Sequence, residues 1–374
     1  MKYYIIVGEA SGDLHGSNLM KELKNFDSKA EFRCWGGDLM QAQGGFLVKH
    51  YKELAFMGFA EVLMNLATIL KNFKLCKSDL LENKPDVLIL IDYPGFNLRM
   101  ARFASENNIK VFYYISPQIW AWKQSRIKQI KKYVTRMFVI LPFEQIFYKQ
   151  LGFYVDFSGH PLHDAIHTYS ETSPTKNEFI FQNQLSEKPI IAIIPGSRKQ
   201  EIKKKLPIML KIIEHYPEYQ FVIAGAPSIE NEYYERFIEN ESVKILFNKT
   251  YDILKFSTAA LVTSGTATLE TALFKVPQIV CYKSGLISYR IAKKLIKVKY
   301  ISLVNLIMDK LIVKELIQHD FTIENLKNEL NNILFNTEYR NNMIANYEEL
   351  SLKTGKQGAS KKTAQLMYEY LSEK

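Results

Sequence analysis

The stretch that most clearly predicts the fold is 263–283, which reads TSGTATLETALFKVPQIVCYK. The apolar run at 260–262 is typical of a buried strand, and the Ser-Gly pair at 264–265 breaks the backbone before a helix over about 266–275. A Val-Pro pair ends that helix, and 278–282 resumes as a second strand. This order of strand, small-residue turn, helix and strand is the repeating unit of parallel α/β sheets.

The start of this predicted helix is suited to bind a phosphate. The first backbone N–H groups of a helix have no internal partner, and small residues there let an anion come close. Glu270, one turn later, is placed to accept bonds from a pair of sugar hydroxyls. An ordinary crossover with a Thr N-cap and an acidic first turn explains the same residues, so both interpretations stay open here.

The composition predicts a globular chain of two domains with anionic partners. Its 374 residues are too many for one ordinary core, and 47% hydrophobic with 24% charged residues is typical of folded proteins. The formal net charge is +10, from 49 Lys and Arg against 39 Asp and Glu. This balance favours a nucleotide, a nucleic acid or an acidic membrane surface.

The cysteines and the N-terminus predict a protein of the reducing cytoplasm. Cys34, Cys76 and Cys281 are scattered and odd in number, so they form the pattern of neither a disulfide framework nor a zinc site. The first residues already follow a strand pattern, and we expect no signal peptide.

Strands alternate with helices in both halves of the chain, which predicts two doubly wound parallel sheets. We expect a first domain over 1–168 and a second over 179–345, joined at the polar, Pro-containing segment 169–178. The pattern is helical from Phe321 onward, and we expect the tail 346–374 to pack back on the first domain.

Asp92 is the first candidate for a general base. It follows the continuous apolar run 87–91, and ligands of open α/β sheets bind outside the carboxyl ends of the strands. Capping of the next helix is its alternative role. Asp13 and His15 are the alternative bases nearby.

A loop in the first half also carries candidate contacts. Ser116, Gln118 and Trp120 follow the strand pattern at 111–115 and suit contact with a sugar or an acyl chain. Packing is the more common use of a tryptophan, so that alternative stays open.

Arg198 is the candidate phosphate ligand of the second half. It follows the strand 190–194 in the turn that also holds Gly196 and Ser197. A guanidinium donates two parallel hydrogen bonds to phosphate oxygens. A surface ion pair of Arg198 with Glu201 is the alternative interpretation.

Several blocks of the sequence together resemble the lipid-A-disaccharide synthase family, which are glycosyltransferases with two Rossmann-like domains (the GT-B fold). The blocks are GEASGDLHGSNL, IDYPGFNLRMA, YYISPQIWAWKQSRIKQIKK, LPFE, GHPL, IIPGSRKQEI and TSGTATLE. They occur in the same order as in the family and span most of the chain. A match of several blocks in order is far more specific than a match of one block. Some family members have an Asp where this chain has Gly95, so a base at that position is missing here.

The resemblance implies an inverting transfer between a UDP-linked diacylglucosamine and a diacylglucosamine 1-phosphate, with Asp92 and Arg198 as catalytic residues. Expected donor-binding residues are Gly196, Ser197, Arg198, Glu201, Ser264, Gly265, Thr266, Ala267, Thr268, Glu270 and Asn305. Expected acceptor-side residues are Ser11, Gly12, Asp13, His15, Asn97, Ser116, Gln118 and Trp120. We expect no cofactor and no metal, because the sequence has no Asp-x-Asp pair and a helix dipole with an arginine can replace a divalent ion.

The segment 54–70 predicts contact with a membrane surface. Its only charge is Glu61, it is shorter than the ~20 residues of a membrane span, and lysines follow at 71, 74 and 77. We expect a helix in the surface of the anionic inner membrane, on the cytoplasmic side, with a buried core helix as the alternative. The expected membrane-facing residues are Phe59, Val62, Leu63, Leu66, Ile69 and Leu70.

Two other functions stay open from the sequence. A UDP-sugar 2-epimerase uses a similar two-domain frame but needs no acyl-binding surface. A non-catalytic basic protein that binds a membrane or RNA explains the charge, but the sequence lacks an aromatic RNA-binding motif, and we expect no nucleic acid partner. A homodimer through exchange of the tail is a further possibility.

Overall fold

The computed structural model describes residues 1–54, 66–238, 243–285, 289 and 298–373. The chain divides into a first unit, Met1–Ala165 with Thr354–Lys374, and a second unit, Ile166–Lys353. The domain boundaries in the structure therefore differ from the predicted 168 and 346. The chain rejoins the first unit at Thr354 because its carbonyl accepts a hydrogen bond from the His160 N–H, 2.8 Å away.

Each unit contains one parallel sheet. The sheet of the first unit has the strand order β3-β2-β1-β4-β5-β6-β7, and that of the second has the order β10-β9-β8-β11-β12-β13. The strands are β1 (Lys2–Ile6), β2 (Glu31–Gly36), β3 (Phe46–His50), β4 (Val87–Ile91), β5 (Lys110–Tyr114), β6 (Arg136–Val139), β7 (Asp156–Phe157), β8 (Ile190–Ile194), β9 (Gln220–Gly225), β10 (Lys244–Phe247), β11 (Ser257–Thr263), β12 (Gln278–Tyr282) and β13 (Glu315–Ile317).

Helices connect the strands and cover the sheets. In the described residues they are α1 (Ala10–Phe26), α2 (Asp38–Ala42), α3 (Leu66–Asn83), α4 (Pro94–Glu106), α5 (Ile127–Tyr133), α6 (Pro142–Gln150), α7 (Leu162–Thr172), α8 (Lys176–Gln182), α9 (Lys199–Leu210), α10 (Asn231–Glu235), α11 (Thr250–Phe256), α12 (Thr266–Leu273), α13 (Leu303–Met308), α14 (Ile323–Phe335), α15 (Thr337–Lys353) and α16 (Ala359–Ser372). The prediction of two doubly wound α/β domains is confirmed.

The central strands are apolar because both faces of each sheet are covered. Strand β4 reads VLILI and β8 reads IIAII, and every residue of both is buried. Strands covered on both faces are near-continuous apolar runs rather than alternating ones. The cores therefore lie on both sides of β4 in the first unit and of β8 in the second.

The strand order reverses at one place in each sheet. In the first unit β1 lies between β2 and β4, and in the second unit β8 lies between β9 and β11. At such switch points the connecting loops diverge, and ligands bind in the crevice outside the carboxyl ends of the strands. The turns after β1 and β4, and those after β8 and β11, are therefore the places to look for a site.

The prediction of an interdomain linker at 169–178 is wrong. Most of this segment belongs to helices α7 and α8. Thr175 is the N-cap of α8, where its hydroxyl accepts a bond from the Glu178 N–H and the Glu178 carboxylate accepts one from the Thr175 N–H. This capping box uses polar residues to begin a helix, and the same composition resembles a linker in sequence.

The tail of the chain packs on the first unit. Helix α16 lies against α1, and the Tyr368 ring stacks on Phe26 with centroids 6.4 Å apart. Asp164 accepts bonds from the N–H groups of Gly358 (2.6 Å) and Ser360 (2.7 Å), at the start of α16.

Candidate functional site

Asp92 and Tyr93 form the turn between β4 and α4, and both have left-handed backbones with φ of 45° and 47°. Residues with a side chain rarely adopt this conformation, which costs about 1–2 kcal/mol each. Pro94 follows as an early residue of α4, where its fixed φ suits the start of a helix. Strained backbone at a sheet switch point is typical of functional turns.

Buried polar groups hold this turn in place. The Asn97 amide donates to the carbonyls of Asp92 (2.7 Å) and Ile91 (3.2 Å). The Tyr113 hydroxyl donates to the same Asp92 carbonyl at 2.6 Å. Asn97 is 0% exposed, so the prediction that it contacts the acceptor is wrong. Its side chain is used to position the backbone of Asp92.

The environment of the Asp92 carboxyl suits a general base. The residue is exposed to solvent as a whole, and neighbouring protein atoms reduce the hydration of its carboxyl group. Burial, with a smaller contribution from the negative charge of Glu9, raises the pKa of Asp92 to about 6. Glu9 lies just after β1, beside β4, and the sequence analysis did not select it. Its position at the end of the neighbouring strand was the available signal.

The two alternative bases are structural residues. The Asp13 carboxylate is buried and accepts bonds from the N–H groups of Gly37 (2.8 Å), Leu39 (3.1 Å) and Met40 (3.1 Å), so it caps α2. His15 is 4% exposed, and burial lowers its pKa to about 4. The predictions of Asp13 and His15 as acceptor contacts or bases are therefore wrong, because both are enclosed by the fold.

The remaining two candidates on α1 differ from each other. Gly12 is buried, and a Cβ there would lie 2.8 Å from the Cβ of Val7, so the glycine permits close packing of α1 on β1. Ser11 is exposed in the first turn of the helix. Only Ser11 of this pair stays a candidate for contact with a ligand.

A buried carboxylate organises the loop after β5. Glu144 accepts bonds from the Ser116 hydroxyl (2.5 Å), the Trp120 indole N–H (3.2 Å) and the Leu141 N–H (2.9 Å). Burial raises the pKa of Glu144 to about 7, against the bonds that favour its charged form. Ser116 is buried and bonded in this way, so its prediction as an acceptor contact is wrong. Gln118 is exposed, and Trp120 is half-buried.

In the second unit, the turn after β8 brings a cation and an anion together. Gly196 has φ +118°, and a Cβ there would overlap the Glu201 Oε2. The Arg198 guanidinium lies 3.6 Å from Glu201 Oε1, and the Arg198 side chain is 48% exposed. Ser197 is exposed. Gly196 thus lets the loop close tightly on Glu201 while Arg198 stays accessible to an anion.

The turn after β11 presents the start of α12. Gly265 has φ +137° and, like Thr266, is exposed. The Ser264 hydroxyl donates to the Ile301 carbonyl at 2.8 Å, and the Thr268 hydroxyl donates to the Gly265 carbonyl at 2.8 Å. Thr268 is 0% exposed, so the prediction that it contacts the donor is wrong. The exposed residues of this turn are Gly265 and Thr266.

Glu270 lies one turn into α12 and is half-buried. It accepts a bond from the Tyr251 hydroxyl at 3.1 Å, and burial raises its pKa. The Tyr251 ring packs against Tyr169 and Phe274. Tyr251 therefore orients the carboxyl that the sequence analysis selected for the sugar hydroxyls.

Asn305 is a structural residue, and its prediction as a donor contact is wrong. It is 0% exposed. Its amide donates to the Val313 carbonyl and to Glu315, both at 2.9 Å. Its oxygen accepts from the N–H groups of Ile312 (2.8 Å) and Val313 (3.0 Å). The side chain is fully used in joining α13 to β13.

Part of the predicted membrane-facing segment lies outside the described residues. This applies to Phe59, Val62 and Leu63, and to the side chain of Leu66. Ile69 is half-buried, and Leu70 is 60% exposed on α3, beside the exposed Lys71. Among the described helices, none has the length and apolar character needed to cross a membrane. The described residues also contain no group of three or more potential metal ligands.

Comparison with known sequences decides between the functions left open. The model of a family described as lipid-A-disaccharide synthetase matches residues 3–369. The chain belongs to the lipid-A-disaccharide synthase family. A synthase of this name from Geobacter metallireducens is 36% identical over 377 residues, covering 99% of this chain and 97% of that protein. Another from Syntrophus aciditrophicus is 38% identical, covering 96% and 95%.

Solved structures show the same fold in more distant proteins. The UDP-GlcNAc 2-epimerase from Neisseria meningitidis bound to UDP-GlcNAc has a TM-score of 0.72 at 14% identity, with 99% of this chain and 100% of that chain covered. The UDP-GlcNAc 2-epimerase of Methanocaldococcus jannaschii has a TM-score of 0.68 at 15% identity, covering 98% and 99%. At such low identity the likeness shows the two-domain fold alone, so family membership, and not the fold, separates the synthase from an epimerase.

Proposed function

We propose that the chain is an inverting glycosyltransferase that joins UDP-2,3-diacylglucosamine to 2,3-diacylglucosamine 1-phosphate. The products are lipid A disaccharide 1-phosphate and UDP. The observation that carries the proposal is the family match over residues 3–369. It agrees with the chemistry at the switch points: an accessible cation and a helix start in the second unit, and a carboxyl of raised pKa in the first.

The UDP part of the donor binds to the second unit in this proposal. The Arg198 guanidinium and the backbone N–H groups at 265–266 receive the diphosphate, which becomes more negative as it leaves. Glu270 accepts bonds from the ribose hydroxyls. Support comes from the adjacency of β8 and β11, because the turns that carry Arg198 and Gly265 follow neighbouring strands.

Asp92 is the proposed general base. The acceptor's primary hydroxyl oxygen attacks the anomeric carbon of the donor, the bond from that carbon to UDP breaks, and Asp92 takes the hydroxyl proton. Two features support this role. The backbone of Asp92 is held in a strained conformation by Asn97 and Tyr113, and the raised pKa makes the carboxylate a stronger base than an ordinary aspartate.

We further propose that the protein binds the surface of an anionic membrane through α3 and the residues before it. The exposed Leu70 and the exposed lysines at 71, 74 and 77 support this, since apolar insertion and attraction to acidic lipids add together. Flotation with anionic vesicles tests it: Leu70→Ser should reduce binding, and Leu81→Ser, a change near the other end of α3, should not. Equal flotation of all three proteins would remove the membrane proposal.

The reaction is tested by incubating the protein with both lipid substrates and measuring UDP and disaccharide. UDP should form only when the acceptor is present. A changed UDP-sugar in the absence of acceptor would instead identify an epimerase. The same assay in EDTA should proceed at the full rate, because the proposed site neutralises the diphosphate without a metal ion.

A further inference from the structure

A lysine ammonium lies buried behind the two proposed phosphate-binding turns. The sequence pattern at 203–205 is a run of three lysines, which normally indicates a solvated helix face. Lys203 and Lys204 are exposed, whereas Lys205 is 2% exposed. Side chains of a helix point toward its N-terminus, so Lys205 reaches from the middle of α9 back to the level of the strand ends. There its Nζ donates to the Thr263 hydroxyl, at the end of β11.

Burial of this charge needs a reason, because an ammonium loses its hydration in the protein interior. The described residues offer it two acceptors for three N–H bonds, the Thr263 hydroxyl and Glu201 Oε2 at 3.5 Å. Burial lowers the pKa of Lys205, and Glu201 opposes that shift. A methionine would fill the same space without the cost of burying a charge.

Glu201 connects Lys205 to the proposed diphosphate ligand. One carboxylate oxygen faces Lys205 and the other lies 3.6 Å from the Arg198 guanidinium. Gly196 has no side chain to separate the carboxylate from the phosphate-binding turn. A diphosphate approaching Arg198 therefore meets a carboxylate that competes for the same guanidinium and repels the incoming negative charge.

We propose that Lys205 is a positioning residue for the donor: it binds Glu201 from behind and neutralises it, so that Glu201 does not hold Arg198 against the diphosphate of UDP. Arg198 and Lys205 are positive and Glu201 is negative, so the carboxyl ends of β8 and β11 carry a net positive charge. The inference rests on the proposed binding of UDP in the second unit, and it assigns Glu201 to the pair with Lys205 in place of the donor contact expected from the sequence.

The test is UDP affinity, measured by titration calorimetry. Lys205→Met should weaken UDP binding about tenfold, which is the size of one charge-assisted contact. Lys204→Met, the exposed neighbour on the same helix, should bind UDP like the wild type. Lys205→Met should stay folded, because Glu201, the partner that it leaves, is 34% exposed and still has the Arg198 guanidinium 3.6 Å away, so no carboxylate is left buried without a counter-charge.

A double-mutant cycle separates this role from simple packing. If Lys205 acts by neutralising Glu201, its loss should matter little once Glu201 is uncharged. The Kd for UDP of the double variant Lys205→Met, Glu201→Gln should then lie within about threefold of that of Glu201→Gln alone. Glu201→Gln by itself should bind UDP at least as tightly as the wild type, and this single variant keeps the test valid if Lys205→Met does not fold.

The outcomes distinguish this inference from the proposed function. Absence of UDP binding by the wild type would remove the proposed function. UDP binding by the wild type that Lys205→Met leaves unchanged would overturn the role of Lys205 alone. Two other results would also overturn the role of Lys205: weaker UDP binding in Lys205→Met that Glu201→Gln does not relieve, and weaker UDP binding in Glu201→Gln itself.

Discussion

The raised pKa of Asp92 predicts how turnover depends on pH. A general base acts only in its deprotonated form. With a pKa of about 6 in the substrate-free protein, about nine-tenths of the molecules carry the Asp92 carboxylate at pH 7 and about one-tenth at pH 5, so kcat/KM should fall about tenfold between these values. With the ordinary aspartate value of 3.8, the same change would leave kcat/KM almost unaltered.

The two causes of this shift can be separated by mutation. Glu9→Gln removes the negative charge that helps to raise the pKa of Asp92, so the acid limb of kcat/KM should move to lower pH. Burial contributes more than Glu9, so the limb should stay above the ordinary aspartate value. Asp92→Asn should lower kcat by about 10²–10⁴-fold and abolish the limb. Glu106→Gln, an exposed carboxylate at the far end of α4, is the matched control.

The assay is the rate of UDP release at substrate concentrations well below KM, from pH 4.5 to 8 at constant ionic strength, which gives kcat/KM. An acid limb that stays in place in Glu9→Gln would refute the electrostatic argument. Wild-type kcat in Asp92→Asn would refute the choice of base.

The same shift acts on stability with a sign that can be checked. A carboxyl whose folded pKa lies above its unfolded value stabilises the fold below the unfolded pKa, and this contribution is lost as the pH rises through the folded pKa. For Asp92 the window runs from 3.8 to about 6. Asp92→Asn should therefore be at least as stable as the wild type at pH 7, as expected of a residue kept for function.

Three further predictions follow from the described contacts. Burial raises the pKa of Glu144 from its ordinary value of 4.5 to about 7, so the unfolding free energy of the wild type should fall by about 3 kcal/mol relative to that of Glu144→Gln between pH 4.5 and 7.5, which urea unfolding measures. Tyr113→Phe removes a hydrogen bond to the Asp92 carbonyl, so it should cost about 1 kcal/mol of stability and lower kcat while the KM for the donor stays unchanged. Arg198→Ala should lower kcat by about 10²–10³-fold at an unchanged melting temperature, because this side chain is 48% exposed.

The fold could be predicted because its signals are local. The strands β4 and β8 are short continuous apolar runs, and each is followed by turn residues and a helix-period pattern. The predicted strand at 278–282 coincides with β12, and the predicted helix at 266–275 ends only two residues later than α12 (Leu273). The boundary at 169–178 failed because a capping box and a linker use the same polar residues.

The site was predicted less well because a motif does not reveal what a polar side chain contacts. Asp13, Asn97 and Thr268 lie in motifs that follow strands, and Asn305 lies on α13, yet each is buried and bonded to backbone groups of its own chain. Irregular turns at strand ends leave backbone N–H and carbonyl groups without sheet partners, and buried groups of this kind require acceptors and donors. Polar residues that satisfy them have the same sequence pattern as residues that bind a ligand.

The need to hold irregular turns in place also explains why the turns at the strand ends contain many buried polar residues and few accessible ones. A transferase stabilises its transition state with groups that are already oriented before the substrate arrives, since reorientation during the reaction would cost free energy. Asn97 and Tyr113 hold the strained backbone of Asp92, and Lys205 pairs with the Glu201 oxygen that does not face Arg198. In the proposed site, Asn97 and Tyr113 therefore act on the reaction through Asp92, and Lys205 acts on it through Glu201.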